Sequence, residues 1–225
     1  MTARLSSSRP GSWRWRLAQW LEIRWWRRYL GRHALDQYLD DKRDYWQRLL
    51  ATLDFPETSE GRWLDAGCGP AGLFLLPPSP ATDAVDPLLD QYRAAFPHLR
   101  EADFPAVTFH SAPLEDWRPT YRYEHISCCN AINHVDDWSA ALDRLTTLAT
   151  PGGRLLLGVD VHRWSWCKVL FRWLPGDMLH PHQHDARDYQ QALLARGWQI
   201  ERMHTWKKGL IFSYWLVTAV LDRRD

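Results

Sequence analysis

One short stretch of this chain holds residues whose types and spacing can do chemistry. It is Trp63-Leu64-Asp65-Ala66-Gly67-Cys68-Gly69-Pro70-Ala71-Gly72, followed by Ala84-Val85-Asp86. It has the form of a buried strand, a glycine turn, a helix start, and a second strand that ends in an acid. Gly67 and Gly69 carry no Cβ, so the backbone can turn sharply there and come close to a ligand. Asp86 stands at the distance downstream from which a strand-tip carboxylate hydrogen-bonds a ribose diol. Together these residues point to a nucleoside-containing cofactor. The Gly67-x-Gly69-x-x-Gly72 spacing alone also fits a dinucleotide fold. Asp65 tilts the choice, because a carboxylate just before the first glycine repels a pyrophosphate and suits a ligand with positive charge.

The segment Leu64-Asp65-Ala66-Gly67-Cys68-Gly69-Pro70 resembles motif I of the class I S-adenosylmethionine-dependent methyltransferases. That family's cofactor has a sulfonium and an α-ammonium and no phosphate. The family often has a third glycine at the position of Ala71; here it is displaced to Gly72. The resemblance implies S-adenosylmethionine as cofactor, with Asp65, Gly67, Cys68, Gly69, Asp86 and Pro87 in its site. Asp86 before Pro87 also fits a helix N-cap, and the two roles are compatible. In the family, the loop His110-Ser111-Ala112-Pro113-Leu114-Glu115-Asp116 flanks the adenine. By resemblance Ser111 or Ala112 faces its edge and Leu114 its plane.

Cys128-Cys129-Asn130-Ala131-Ile132-Asn133-His134-Val135-Asp136 resembles the family's motif IV region, where a strand tip meets cofactor and substrate. The Asn/Asp-Pro-Pro-aromatic motif of base-modifying amino-methyltransferases is absent, which argues against a nucleobase amino group as acceptor. The resemblance implies that the Asn130 carbonyl accepts from the cofactor ammonium. It places Asn133 and His134 by the transferring methyl. A histidine there suits removal of a hydroxyl proton near neutrality; a packing role for His134 is the alternative. Further on, His180, His182 and His184 alternate, so an extended segment presents them on one face. Imidazoles plus Asp185 suit a zinc or iron site. The favoured reading is a substrate loop without metal, ending in an N-cap at His184 or Asp185, with His180 or His182 as alternative bases.

The elements that must position these residues follow from pattern. Residues 13–54 have helical periodicity, with a break near Gly31. Strands are expected at 62–66, 82–86, 106–110, 124–130 and 153–161. Helices are expected after Pro70, after Pro87, weakly near 112–117, and at 136–149 and 185–196. Strands at 198–205 and 210–221, joined by Lys207-Lys208-Gly209, complete a hairpin. The alternation predicts an α/β fold: a Rossmann-like, doubly wound parallel sheet with helices on both faces. The family resemblance implies seven strands, the last two forming the antiparallel hairpin. N-terminal helices are added to that sheet. Residues 1–54 form a Trp/Arg-rich helical extension, and 55–225 the methyltransferase-like domain.

Composition sets bounds. A chain of 225 residues, 45% hydrophobic and 24% charged, suits a full core. A net charge of +1 gives no global case for nucleic acid. Cys68, Cys128, Cys129 and Cys167 show no metal-type spacing, and a reduced, cytoplasmic location is the default expectation. The apolar run from Gly209 to Leu221 falls short of the ~20 residues of a spanning helix. The N-terminal block differs from the rest. Trp13, Trp15, Trp20, Trp25 and Trp26 interleave with arginines and a single acid, Glu22. Residues 13–32 are expected to act as a lid with peripheral contact to a lipid surface. Methyl transfer to a small hydrophobic or aromatic acceptor, with oxygen favoured, is the expected reaction. A non-catalytic accessory protein is the alternative. An NAD-dependent oxidoreductase is a weaker one, opposed by Asp65 and the terminal hairpin.

Overall fold

β1 (Trp63–Ala66) and β2 (Thr82–Val85) are buried along their whole length. Strands covered on both faces lose the alternation of a half-exposed sheet. A computed structural model describes residues 13–56, 60–76, 81–162, 184–209 and 212–222. In it β3 is Val107–His110, β4 Tyr123–Cys129, β5 Ala149–His162, β6 Trp198–Lys208 and β7 Phe212–Leu221. The seven strands lie in the order β3-β2-β1-β4-β5-β7-β6. β1 to β5 are parallel, and β7 runs antiparallel to both β5 and β6. The chain moves outward from β1 to β3 and then returns to β4 on the other side of β1. That reversal opens a crevice at the carboxyl ends of β1 and β4, where open α/β sheets bind ligands.

Helices cover both faces. α4 (Trp138–Leu148) and α5 (Ala186–Leu194) place Leu142, Leu145, Tyr189 and Leu193 against Ile126, Leu155 and Trp215. On the opposite face, α1 (Trp13–Leu30) and α3 (Leu89–Ala95) share a cluster with Cys68, Phe74 and Phe109 through Ile23, Leu30, Leu89 and Tyr92. α2 (Leu35–Leu53) packs Trp46, Leu49, Leu50 and Leu53 on Trp63, Leu156 and Leu216. α2 is therefore part of the sheet's own core.

Three expectations are corrected. Among the described residues no α-helix stands between Pro70 and β2. One 3-10 turn, Leu73–Leu75, stands there with all three residues buried. Pro77-Pro78-Ser79-Pro80 explains this, since prolines lack the N–H that a continuing helix needs. α2 covers the loop instead, and the Trp46 indole donates to the Ala71 carbonyl at 3.1 Å. Second, Lys207 and Lys208 belong to β6, paired with Tyr214 and Ser213, so they are not the hairpin's connection. Third, β5 begins at Ala149, ahead of Pro151-Gly152-Gly153, and its pairing with β4 slips between Tyr123 and His125. The strand expected at 153–161 thus starts four residues earlier, with an irregularity in its pairing near that start.

Asp83, central in β2, sits in a buried network off the crevice. It accepts from His110 at 2.6 Å, Tyr123 at 2.9 Å and Tyr121 at 3.0 Å. Burial opposes its charge, but these partners outweigh burial and hold the carboxyl below its ordinary range. The network ties β2 to β3 and β4 beneath the site.

Candidate active site

The loop after β1 curls back onto β2, where Gly67 and Cys68 both donate their N–H to the Val85 carbonyl, at 2.7 and 3.2 Å. Gly67 and Gly69 adopt φ of +69° and +55°. A Cβ on Gly67 would lie 2.1 Å from the Cβ of Ala131, so the loop is pressed against the tip of β4. A Cβ on Gly69 would meet nothing within 4 Å. One glycine is needed for contact with the protein, the other borders open space. The displaced Gly72 also has a packing reason: its Cβ would stand 2.4 Å from the Cys68 carbonyl oxygen and 2.5 Å from Asp65 Oδ2.

Asp65 is buried in the floor of this loop. Its Oδ2 accepts from the Phe74 N–H and its Oδ1 from the Ser127 hydroxyl, both at 3.0 Å. Burial pushes its carboxyl up to about 6 against those hydrogen bonds. Asp65 lines the cleft, but its first task is to tie the glycine loop to β4.

Asp86 ends β2. Its Oδ2 accepts from the Gly69 N–H at 3.0 Å and its Oδ1 from the Leu88 N–H at 2.8 Å. The second bond closes the turn into α3. Each oxygen keeps a further lone pair for a ligand. The carboxyl is pushed up to about 7 by burial and then by the charge of Glu22, against the pull of the two N–H groups. Glu22 comes from α1 and accepts from the Tyr92 hydroxyl at 2.8 Å.

The tip of β4 forms the facing wall. Asn130 has a left-handed φ of 56° and donates its N–H to the Gly158 carbonyl at 2.8 Å. His134 follows in a tight turn, its N–H on the Ala131 carbonyl at 2.9 Å, and lines the cleft. Asn133 does not face the cleft. Its amide donates to the Asp160 carbonyl at 3.1 Å and accepts from the Tyr189 hydroxyl at 2.7 Å, which makes it a strut between β4, β5 and α5. Pro113, Leu114 and Glu115 close the far side; Ser111 and Ala112 precede that wall and are not part of the lining. Glu115 accepts from the Asp136 and Asp137 N–H groups, at 2.9 and 3.3 Å, and so joins the two walls.

Asp65, Gly67, Cys68, Gly69, Asp86, Pro87, Leu114, Asn130 and His134 therefore border one cleft of about 980 Å³, its open mouth included. Gln19, Glu22 and Trp26 of α1, within the segment expected as a lid, border it too, as do Lys42 and Trp46 of α2, which the sequence did not point to. Glu22 is the one acid in that basic block. His180 and His182 lie outside the described residues. His184 stacks on Trp138, with ring centroids 4.0 Å apart, and stands 3.7 Å from Asp188. Asp185 is the N-cap of α5, with the capping box closed by Asp188.

A family model described as a methyltransferase domain matches residues 32–202. A ubiquinone biosynthesis O-methyltransferase of Rhodopseudomonas palustris (strain HaA2) is 26% identical over 179 residues, 72% of this chain and 67% of that protein. Its counterpart in Bradyrhizobium sp. (strain ORS 278) is 27% identical over 124 residues, 51% of this chain and 48% of that protein. The chain thus spans about half to two thirds of the curated relatives it matches. Among solved structures, magnesium protoporphyrin IX methyltransferase from Synechocystis PCC 6803 with bound S-adenosylhomocysteine is similar in fold. It has a TM-score of 0.64 at 18% identity, over 93% of this chain and 100% of that one. Burkholderia thailandensis 1,6-didemethyltoxoflavin-N1-methyltransferase has a TM-score of 0.62 at 17% identity, over 96% and 93%.

Proposed function

The chain belongs to the class I S-adenosylmethionine-dependent methyltransferases, and we propose that it methylates a small hydrophobic or aromatic acceptor, on oxygen by preference. The observation that carries this reading is the charge of the cleft. Among the described residues its lining brings together Glu22, Asp65, Asp86 and Glu115 against one lysine, Lys42. That set repels a pyrophosphate and suits a ligand with a sulfonium and an ammonium. The open side of Gly69 and the free lone pairs of Asp86 fit an adenosyl group as well. Asp86 would hold the ribose, Leu114 the adenine, and the Asn130 carbonyl the ammonium. When bound, the cofactor supplies an electrophilic methyl. The protein's part is to orient the acceptor and exclude water, which supplies much of the acceleration in such displacements.

His134 borders the cleft, which supports a role for it as the base that would take a hydroxyl proton from the acceptor. The names of the curated relatives support an oxygen acceptor and an apolar substrate. His134→Ala is expected to lower kcat about 100-fold or more on a neutral hydroxyl acceptor. Its affinity for S-adenosylhomocysteine should stay unchanged. Transfer of labelled methyl to phenolic and quinol acceptors measures the first and titration the second. Undiminished turnover would remove the base and leave the methyltransferase reading intact. Cofactor binding without transfer to any acceptor would favour the accessory-protein reading.

α1 serves as a lid with a lipid-facing side. Ile23 and Leu30 are buried, and Gln19, Glu22 and Trp26 border the cleft. Outward stand Trp20 and Trp25, 56% and 53% exposed, with Arg16, Arg24, Arg27 and Arg28 exposed beside them. Indoles and cations together suit an anionic headgroup layer. No described helix is long and apolar enough to cross a membrane. The protein is expected to co-sediment with phosphatidylglycerol vesicles, less so in high salt, and Trp20→Ala/Trp25→Ala to lose most of that binding. Equal recovery of wild type and variant would refute a lipid role for this face.

A further inference from the structure

Lys42 borders two spaces at once. One is the cofactor cleft; the other is a recess of about 760 Å³, mouth included, between the end of α1 and the start of α2. Aromatic rings wall the recess: Tyr29, Tyr38 and Tyr45, with His33 beside them. Tyr29 meets Tyr38 edge to face at 5.7 Å and His33 at 4.4 Å. The Lys42 ammonium stands 5.0 Å from the Tyr45 ring centroid and 5.8 Å from that of Tyr38. Among the described residues no carboxylate lies within ion-pair distance of it. Asp41 is on the outer rim, exposed, and accepts from Gln37 at 2.8 Å.

We propose that this recess is the acceptor subsite, that it takes a planar aromatic molecule bearing an anionic oxygen, and that Lys42 is the residue that pairs with that oxygen. The inference rests on the methyl-transfer reading for the identity of the second ligand. Three observations support it. The recess adjoins the cofactor cleft and shares Lys42 with it. Its walls offer ring faces and edges, which stack with a planar ligand. Among the described residues its inner cation is the only lysine or arginine lining the cleft, and none of their carboxylates pairs with it. Burial lowers the Lys42 ammonium from its ordinary range, and an arriving anion would offset that cost. Tyr45 extends the wall toward Tyr214, Cys129 and Asp160, at the carboxyl ends of β4 and β5 and the facing end of β7. The acceptor would thus enter from the side of the two N-terminal helices.

Shape-matched probes test the charge. Binding of 4-nitrobenzoate, 4-nitrophenol and 4-nitrobenzamide to the full chain saturated with S-adenosylhomocysteine would be measured at mildly alkaline pH. Wild type is expected to prefer the anions to the amide. Lys42→Met should weaken the anions about tenfold or more, since a charge-assisted hydrogen bond contributes ~1.5–3 kcal/mol. Amide binding should hardly change, and Lys42→Arg should restore the anions. Tyr29→Leu should weaken all three probes alike. Preference for nitrobenzoate would assign a carboxylate, and preference for nitrophenol an ionised phenol. S-adenosylhomocysteine affinity, measured separately, reads the methyltransferase assignment and the folding of each variant. The proposal is overturned if wild type binds none of the probes, if it binds the amide as well as the anions, or if both Lys42 variants match wild type.

Discussion

Gly67→Ala is expected to lower the thermal midpoint by roughly 10 °C, and to cost about 3–5 kcal/mol of stability. Two terms add. A side chain at φ +69° leaves the region that L residues favour, at about 1–2 kcal/mol. The new Cβ also falls 2.1 Å from the Cβ of Ala131, and neither methyl can rotate away. The overlap opens the loop from the tip of β4 and so widens the floor of the cleft. Gly69→Ala isolates the first term, because its Cβ meets nothing within 4 Å. That variant should stay folded, within ~1–2 kcal/mol of wild type, and lose cofactor affinity instead. Adding Ala131→Gly to Gly67→Ala removes the overlap and should recover much of the lost stability. Thermal unfolding of the four proteins checks this; equal midpoints for Gly67→Ala and Gly69→Ala would show that the overlap relaxes freely.

Asp86→Ala is expected to weaken S-adenosylhomocysteine by about 100-fold or more while the fold survives. Loss of hydrogen bonds to a charged group accounts for about 10- to 100-fold each, and a ribose diol offers two. The Gly69 and Leu88 N–H groups also lose their acceptor, while the Gly67 and Cys68 bonds to the Val85 carbonyl still hold the loop on β2. A pH signature follows from the same residue. Its carboxyl is pushed up to about 7 by burial and by Glu22, with Asp65 adding to the repulsion. Hydroxyl donors prefer the ionised form, so the free protein must lose that proton before it binds well. Affinity should therefore rise as pH increases toward 7 and level off above it. In Asp86→Ala the rise should disappear. Titrations on either side of neutrality measure both, and a wild-type affinity flat across that range would assign the ribose to another group.

Much of this architecture was legible because its signals are local. The strand, glycine turn and acid around Asp65 and Asp86 lie within 30 residues, and each has a backbone reason to be where it is. The helix expected after Pro70 fails on a local signal, the prolines that follow Leu76. Asn133 shows a different limit. A polar residue beside His134 at a strand tip looks like a site residue, and only the approach of Tyr189 and the Asp160 carbonyl turns it into a strut. Glu22 and Trp26 fall within the 13–32 segment expected as a lid, but which of its residues face inward could not be read from sequence, and Lys42 and Trp46 of α2 had no signal at all. Which helix faces a cleft built by β1, β2 and β4 is decided by tertiary packing. In this chain α2 packs against the turn at Leu73–Leu75, where the sequence predicted a crossover helix.

The most direct test is calorimetric titration of the protein with S-adenosylhomocysteine, S-adenosylmethionine and NAD(H). A cleft whose described lining holds four carboxylates and one lysine predicts micromolar binding of the two adenosyl sulfur compounds and no binding of the pyrophosphate-bearing nucleotide. Binding of NAD(H) without either adenosyl compound would contradict the account.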